Sequence, residues 1–237
     1  YHPRWQAFLS QLRYVVIDEL HTYRGVFGSH VANVLRRLKR VCHFHGSDPQ
    51  FICCSATIAN PVELAENLLE EPVTLVADNG APRGERHLAF YNPPVVDPQL
   101  GLRRNLILEA RTLVNQFLHH DVQAVVFCGS RLAVEQLVIY LRQDARREGR
   151  EPSAIRGYRG GYLAHERRSI EKGLREGAAR AVVATNALEL GVDIGDLAAC
   201  VMVGYPGTIA STWQQAGRAG RGQEESAAIL VASPSPL

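Results

Sequence analysis

The amino-acid sequence predicts an α/β protein whose parallel sheets carry helices on both faces. Short apolar segments rich in β-branched residues alternate with helical patterns, which is typical of parallel strands joined by helical crossovers. A polar stretch at residues 78–85, rich in turn-forming residues, separates two such series. The chain has 237 residues, enough for one large core or two smaller ones. We therefore expect two α/β halves joined by a linker.

The first half contains three predicted strands and three predicted helices. The apolar run at residues 14–17 indicates a strand that is buried on both faces. Ser29 can cap one helix, and Asn60 followed by Pro61 is a typical helix start, with Asn60 as the N-cap. The predicted strands are residues 14–17, 51–54 and 73–76. The first predicted helix covers residues 4–12, the second runs from Ser29 to Cys42, and the third begins at Pro61.

The second half continues the alternation of strands and helices. A proline-rich turn, with Pro93, Pro94 and Pro98, follows its first strand. The predicted strands are residues 87–91, 124–128, 181–184, 199–203 and 227–232, with a short segment at Ile155. The predicted helices are residues 103–118, 130–147, 165–175 and 211–219. This order predicts a second parallel sheet.

The basic residues exclude one kind of nucleotide site within the sequence. Lys39 and Lys172 are the only lysines among the 26 basic residues, and arginine supplies the rest. Genome composition could produce that bias. A phosphate-binding Walker A loop requires Gly-x-x-x-x-Gly-Lys-Ser/Thr, and neither lysine lies in such a sequence. The formal net charge of +2 does not by itself indicate a nucleic-acid partner.

Cysteine usage and hydropathy indicate a cytoplasmic protein. The five cysteines show no C-x-x-C spacing, and most lie in apolar patterns where a reduced thiol acts as a small hydrophobe. No apolar run approaches the ~20 residues that cross a bilayer, so we expect no membrane partner. The sequence opens on Tyr1 without a signal-peptide pattern, and we interpret it as a piece of a longer protein.

Two adjacent carboxylates, Asp18 and Glu19, follow the first predicted strand. Ligands of open α/β sheets bind at the carboxyl ends of strands. In phosphoryl transfer one carboxylate can hold Mg²⁺ while its neighbour orients the attacking water. The alternative is that the two acids only cap the element that follows the strand.

Five segments, in order along the chain, resemble the motifs of superfamily 2 helicases. They are Asp18-Glu19-Leu20-His21 for motif II, Ser55-Ala56-Thr57 for motif III, and residues 126–131, 184–193 and 214–221 for motifs IV, V and VI. Residues 21–31 and 80–85 further resemble the MrfA/YprA-type and fungal Hrq-type branch of DNA repair helicases.

The resemblance implies two RecA-like lobes that bind ATP between them. It places the C-terminal half of a truncated lobe 1 at residues 1–78, a linker at 79–86 and a nearly complete lobe 2 at 87–237. The Walker A loop would come from the rest of the parent chain. The implied cofactors are ATP and Mg²⁺, and the implied partner is DNA, as a single strand or a duplex with a 3′ overhang.

The same resemblance assigns roles to individual residues. It makes Asp18 the Mg²⁺ partner and Glu19 the catalytic base, with Arg218 and Arg221 stabilising phosphate charge from the opposite lobe. Gln214 belongs with these catalytic residues, and His21, Gly191 and Asp193 with the nucleotide. The residues implied for nucleic-acid contact and coupling are Ser55, Thr57, Ser130, Arg131, Arg159, Gly160 and Thr185.

Purely structural roles remain open for several of these residues. Arg218 and Arg221 could be surface arginines on a short helix, and Gln214 could form a capping box with Ser211. Asp193 could be a turn aspartate. His21 could be a plain loop histidine, while Ser55 and Thr57 could only hydrogen-bond at a strand end.

A basic segment, residues 142–168, interleaves arginine, glycine and tyrosine around Arg159. This composition suits phosphate contact and base stacking, although a solvated face explains the outer arginines better. We interpret the chain as the core fragment of an ATP-dependent helicase, most similar to a 3′→5′ DNA repair helicase. The alternatives are an RNA helicase, a duplex translocase, or a non-catalytic nucleic-acid-binding fragment.

The missing Walker A loop leads to a prediction for the isolated chain. Because nothing in the sequence can cradle the phosphates, we expect essentially no ATP hydrolysis when phosphate release is measured with Mg²⁺ present. Robust turnover that disappears in the Glu19→Gln variant would contradict this expectation.

Overall fold

The computed structural model describes residues 2–56, 58–78, 80, 84–189, 194–195, 197–220 and 224–233. The chain divides into two compact units, Tyr1–Asn79 and Gly80–Leu237. The division falls where the predicted linker begins. Parallel pairing in both units confirms the predicted α/β class.

The first unit is built on two parallel strands, β1 (Tyr14–Ile17) and β2 (Gln50–Cys53). Its helices are α1 (Gln6–Leu9), α2 (Gly25–Phe44) and α3 (Pro61–Leu69). One core joins the strands to α2 and α3. Its fully buried members are Ile17, Leu20, Ala32, Leu35, Ala65, Leu68 and Leu69.

The prediction that residues 14–17 are buried on both faces is wrong. Ile17 is buried and Val15 packs against the core, but Tyr14 and Val16 are 60% and 63% exposed. Alternate residues of a strand point to opposite faces, and the helices that pack on this strand cover only one of them. In β1, a continuous apolar run therefore belongs to a strand with helices on only one face.

Three local predictions in the first unit also differ from the structure. Residues 73–76, all of them described, form no strand. Helix α2 begins at Gly25, so Ser29 lies inside it and its hydroxyl donates to the carbonyl of Val26 at 2.8 Å. Asn60 does precede α3, but its side-chain amide donates to Glu63 at 2.9 Å instead of accepting from the helix.

The second unit contains a six-stranded, fully parallel sheet. Its strands are β3 (Arg86–Tyr91), β6 (Ala124–Cys128), β7 (Ile155–Tyr158), β8 (Ala181–Ala184), β9 (Ala199–Val203) and β10 (Ser226–Val231). They lie in the order β3-β10-β9-β6-β8-β7. A separate small hairpin, β4 (Val95–Asp97) with β5 (Leu102–Arg103), occupies the segment predicted as a proline-rich turn.

Helices cover both faces of this sheet. They are α4 (Leu106–His119), α5 (Arg131–Arg147), α6 (Ala164–Arg175) and α7 (Ile209–Ala216). Val126 packs with α4 and α5, whereas Val125 and Phe127 pack with α6 and α7. Every residue of β6, β8 and β9 is buried, as their continuous apolar runs predict.

Capping residues explain where two of these helices begin. The side chain of Asn105 accepts from the backbone N–H of Ile107 at 2.9 Å, so α4 begins after the predicted residue 103. Thr208 accepts from Ser211 at 3.0 Å and starts α7 before the predicted residue 211. The capping box of Ser211 with Gln214 is therefore wrong. None of the described helices is long and apolar enough to cross a membrane.

A polar network joins α4 to α5. The carboxylate of Asp144 accepts from Arg111 Nε at 2.6 Å and from the amide of Asn115 at 2.7 Å, while a second guanidinium nitrogen of Arg111 completes a bidentate pair. These contacts, led by the hydrogen bond from Arg111, hold the pKa of Asp144 below its usual range although burial acts against them.

Replacing Asp144 should destabilise the second unit measurably. Asp144→Asn leaves Arg111 without its anion, and we expect a loss of about 2–3 kcal/mol in unfolding free energy at neutral pH. Folding lowers the pKa of the Asp144 carboxyl. The stabilisation is therefore present at pH values above the pKa of the unfolded chain, near 3.8, and is lost as the pH falls through the pKa of the folded chain.

Denaturant unfolding over a pH series checks this prediction. The matched control is Asp121→Asn, which removes an acid that pairs with Arg180 while its own side chain is 92% exposed. That variant should lose no more than about 1 kcal/mol. Equal losses in the two variants would contradict the assignment.

Candidate functional site

The carboxyl ends of β1 and β2 are held together by backbone hydrogen bonds. Cys54 N donates to the carbonyl of Ile17 at 2.8 Å, and Leu20 N donates to the carbonyl of Cys54 at 2.9 Å. These bonds bring the turn with Asp18 and Glu19 beside exposed Ser55. The predicted motif II residues Asp18 and Glu19 and the motif III residue Ser55 therefore lie at one edge of the first unit.

Glu19 has a backbone conformation that non-glycine residues rarely adopt. Its φ and ψ are 52° and 45°, in the left-handed region. Thr22 secures this turn, because its hydroxyl donates to the carbonyl of Glu19 at 2.8 Å. Such conformations cost about 1–3 kcal/mol and cluster at functional sites.

The two carboxylates differ in their local contacts. Asp18 is exposed, and one of its oxygens accepts from the N–H of Glu19 at 2.8 Å, a contact between neighbouring residues that does not cap the 3-10 turn. Glu19 makes no side-chain cap to the short 3-10 turn that follows. The side chain of Glu19 therefore has no capping role, and the turn uses only one carboxylate oxygen of Asp18.

His21 is not a plain loop histidine. Its side chain is only 8% exposed, and its Nδ1 lies 3.5 Å from a carboxylate oxygen of Glu19. The structure therefore brings together the acid pair and the histidine that the sequence singles out.

The acid pair fits a magnesium ion carried by a nucleotide better than a protein-only metal centre. No group of three or more metal-binding side chains exists among the described residues. Mg²⁺ is commonly held by one or two carboxylates together with phosphate oxygens and water. Asp18, with one oxygen unused by the turn, is the residue that could supply such a carboxylate.

In the second unit, three adjacent strands present candidate residues at a single edge. Phe127, Ala184 and Tyr158 lie side by side in the register of β6, β8 and β7. Because the strands are parallel, the segments that follow them emerge at the same edge. The segments carry the predicted nucleic-acid residues Ser130, Arg131, Thr185, Arg159 and Gly160. We call these five residues the strand-end surface.

Two hydroxyls of the strand-end surface serve local structure. Ser130 caps α5 by accepting from Ala133 N at 3.1 Å. Thr185 caps a short 3-10 turn, because its hydroxyl oxygen accepts from Ala187 N at 3.5 Å. Arg131 is the exposed first residue of α5, at the helix N-terminus, where backbone N–H groups favour anions.

Arg159 has a charged partner that the sequence did not reveal. Its Nε donates to a carboxylate oxygen of Glu135 at 2.8 Å, and its guanidinium lies 5.0 Å from the ring centre of Tyr162. Glu135 lies on α5, 24 residues earlier in the chain. No local sequence pattern indicates this pairing.

Arg218 is not a surface arginine. It is 6% exposed, and its guanidinium donates to the backbone carbonyl of Glu189. The buried carboxylate of Glu189 accepts from the side-chain amide of Gln215 at 2.9 Å. Glu189 and Gln215, which sequence reasoning missed, thus link the motif V segment to α7. Gln214 lies half-buried on α7.

The turn after α7 contains a close backbone approach at Gly220. Its φ is +73°, and a methyl group there would lie 2.1 Å from the hydroxyl of Ser226. Arg86 also donates to the carbonyl of Gly220. Four predicted site residues lie outside the described residues, namely Thr57, Gly191, Asp193 and Arg221.

The sequence matches two protein families. Residues 2–65 match the DEAD/DEAH box helicase family, and residues 109–223 match the helicase conserved C-terminal domain. These matches span both the acid pair and the strand-end surface.

Curated relatives are similar over the whole chain. The uncharacterized ATP-dependent helicase YprA of Bacillus subtilis is 58% identical over 237 residues, covering 100% of this chain and 32% of the relative. The ATP-dependent helicase HRQ1 of Saccharomyces cerevisiae is 43% identical over 241 residues, covering 100% of this chain and 22% of the relative. The chain thus spans a third or less of the length of these relatives.

A solved structure has the same fold. The crystal structure of the DUF1998 helicase MrfA bound to DNA superposes with a TM-score of 0.93 at 58% identity, covering 99% of this chain and 31% of that chain. The predicted RecA-like fold and the resemblance to this branch of superfamily 2 are confirmed.

A substitution at Gly220 tests the close approach. Gly220→Ala adds a methyl group that meets Ser226 in a left-handed turn, and we expect unfolding free energy to fall by about 2–4 kcal/mol. The control is Gly207→Ala, where φ is +94° but no atom lies within 4 Å of the added methyl group. It should lose about 1 kcal/mol. Thermal unfolding of both variants measures the difference, and equal losses would exclude a steric cause.

Proposed function

Because the chain belongs to the DEAD/DEAH-box helicases of superfamily 2, we propose that it is the core segment of an ATP-dependent DNA helicase. The observation that carries this proposal is the acid pair Asp18–Glu19, fixed at the end of a parallel strand beside a buried histidine. The sequence has no Walker A loop, so the phosphate cradle would be supplied by the rest of a longer parent chain.

In this proposal the first unit provides the hydrolytic residues. Asp18 holds Mg²⁺ on the phosphates of ATP, and Glu19 orients and deprotonates the attacking water. His21 senses the nucleotide through its proximity to Glu19, at 3.5 Å. Ser55 and Thr57 couple nucleotide state to the nucleic acid.

The second unit provides charge stabilisation. Arg218 and Arg221 act on the phosphate oxygens in the transition state, an effect worth roughly 10³–10⁵ in rate for arginine fingers of GTPases. The hydrogen bond to Glu189 fixes the orientation of Arg218 inside this unit. Gln214, Gly191 and Asp193 complete the nucleotide contacts.

The strand-end surface is the proposed track for a nucleic-acid strand. A helix start and two arginines at a single sheet edge suit phosphate contacts, which fix register without reading sequence. MrfA, 58% identical, was crystallised with DNA, and this favours DNA over RNA. We further propose 3′→5′ unwinding, a role in DNA repair, and a cytoplasmic location in keeping with five free cysteines.

A second function, strand binding without hydrolysis, is favoured for the isolated chain by one observation. Neither of its lysines lies in a phosphate-binding loop. The isolated chain could then bind a nucleic-acid strand without ATP, while the parent protein unwinds duplexes with ATP. The two results would not contradict each other.

Unwinding by the intact parent protein tests the proposal. Labelled DNA and RNA duplexes with a 3′ or a 5′ overhang are incubated with ATP and Mg²⁺, and strand separation is followed by fluorescence. We expect unwinding of the DNA duplex with a 3′ overhang. Glu19→Gln should reduce ATP turnover by ~10²–10⁴, because the general base is lost.

Glu71→Gln is the matched control, since the carboxylate of Glu71 forms an ion pair with Lys39, at 2.9 Å, and is not a member of the acid pair. That variant should retain activity. Unwinding of RNA alone would overturn the DNA assignment, and a parent protein without ATP turnover would overturn the motor itself.

A further inference from the structure

Arg159 is held in place from two sides. Glu135 accepts from its Nε at 2.8 Å, and the ring of Tyr162 lies beneath its guanidinium at 5.0 Å. Glu135 thus contacts the guanidinium at Nε, while Tyr162 contacts its face. An arginine bound at Nε keeps its end-on fork of N–H donors, the group that matches two phosphate oxygens.

Small residues make this arrangement possible. Gly161, one of the two glycines between Arg159 and Tyr162, has a φ of +102°, which a side chain rarely allows. A methyl group at Gly157 would lie 3.0 Å from the hydroxyl of Tyr162. A side chain at Gly157 would therefore press on the tyrosine that stacks on Arg159.

Glu135 also aligns Arg159 with a second cation. Arg131 and Glu135 are one helical turn apart on α5 and so lie on the same face. A guanidinium nitrogen of Arg131 lies 3.9 Å from the position of a methyl group at Gly160. Arg131 and Arg159 consequently lie on either side of Gly160. Because Gly160 has no side chain, a phosphate can approach both arginines there.

The Glu135–Arg159 pair is too exposed to be explained by stability. The side chains of Arg159 and Glu135 are 31% and 44% exposed. Ion pairs in such positions contribute little to folding, because water and salt screen them. Folding stability therefore gives little reason for a glutamate at this position.

We propose that Glu135 is a positioning residue that presents the guanidinium of Arg159 to a backbone phosphate of the bound strand. This inference rests on the proposed function of the strand-end surface. The carboxylate acts through its hydrogen bond to Nε, which removes rotamer freedom from Arg159 before binding. A pre-organised side chain loses less entropy when the phosphate arrives.

Binding of labelled single-stranded DNA to the chain, measured by anisotropy over a series of salt concentrations, tests this inference. Arg159→Ala should weaken binding about tenfold and reduce the slope of log K against log salt by ~0.7, the value for one phosphate contact. Glu135→Ala should weaken binding about two- to tenfold with an unchanged slope, since Arg159 keeps its charge. Glu135→Gln keeps an acceptor for Nε and should bind within about twofold of the parent sequence.

The control is Glu148→Ala, which removes an ion-paired glutamate at the other end of α5, where it contacts Arg150 and His119. It should bind DNA unchanged. Tighter or equal binding by Glu135→Ala, while Arg159→Ala is weakened, would overturn the positioning role and leave the proposed surface intact. Unchanged binding by Arg159→Ala would instead remove Arg159 from the interface and overturn both assignments.

Discussion

The parallel register of the second sheet is the constraint on which the candidate surface depends. Backbone hydrogen bonds fix Phe127, Ala184 and Tyr158 side by side, so whatever follows each strand emerges at the same edge. A shift of one residue would move each apolar side chain of these strands to the opposite apolar layer, where its packing partners are different. The two apolar layers of the sheet thus fix the positions of polar residues that contribute nothing to the core.

A second constraint is the buried contact between the motif V segment and α7. Glu189, Gln215 and Arg218 are all less than 9% exposed, and each is hydrogen-bonded to another member of the set. Burying a carboxylate and a guanidinium without such partners would be costly. The segment that leaves β8 and the helix that carries Gln214 are therefore constrained together. A displacement of one would break the hydrogen bonds of the other.

Sequence predicted best what depends on local pattern. Strands 124–128 and 199–203 agree with the structure residue for residue, because a strand covered on both faces has an unbroken apolar run. The run at residues 14–17 looks the same, yet the structure covers only one of its faces. Periodicity cannot distinguish these cases, since coverage is decided by distant helices. Likewise, the acid pair and the strand-end residues follow from strand ends, whereas Glu135 with Arg159 and Glu189 with Gln215 meet across 24 and 26 residues.

The left-handed backbone of Glu19 has a consequence for how variants of the acid pair are to be compared. Glutamine retains both the shape of the side chain and the conformational penalty, so a change in turnover reports on the carboxylate alone. Glycine relieves the penalty and also removes the carboxylate, so its effect on turnover would be combined with a change in stability. Under the proposed function, folding and hydrolysis place opposite demands on this residue, because glycine would suit the backbone and the carboxylate would serve hydrolysis.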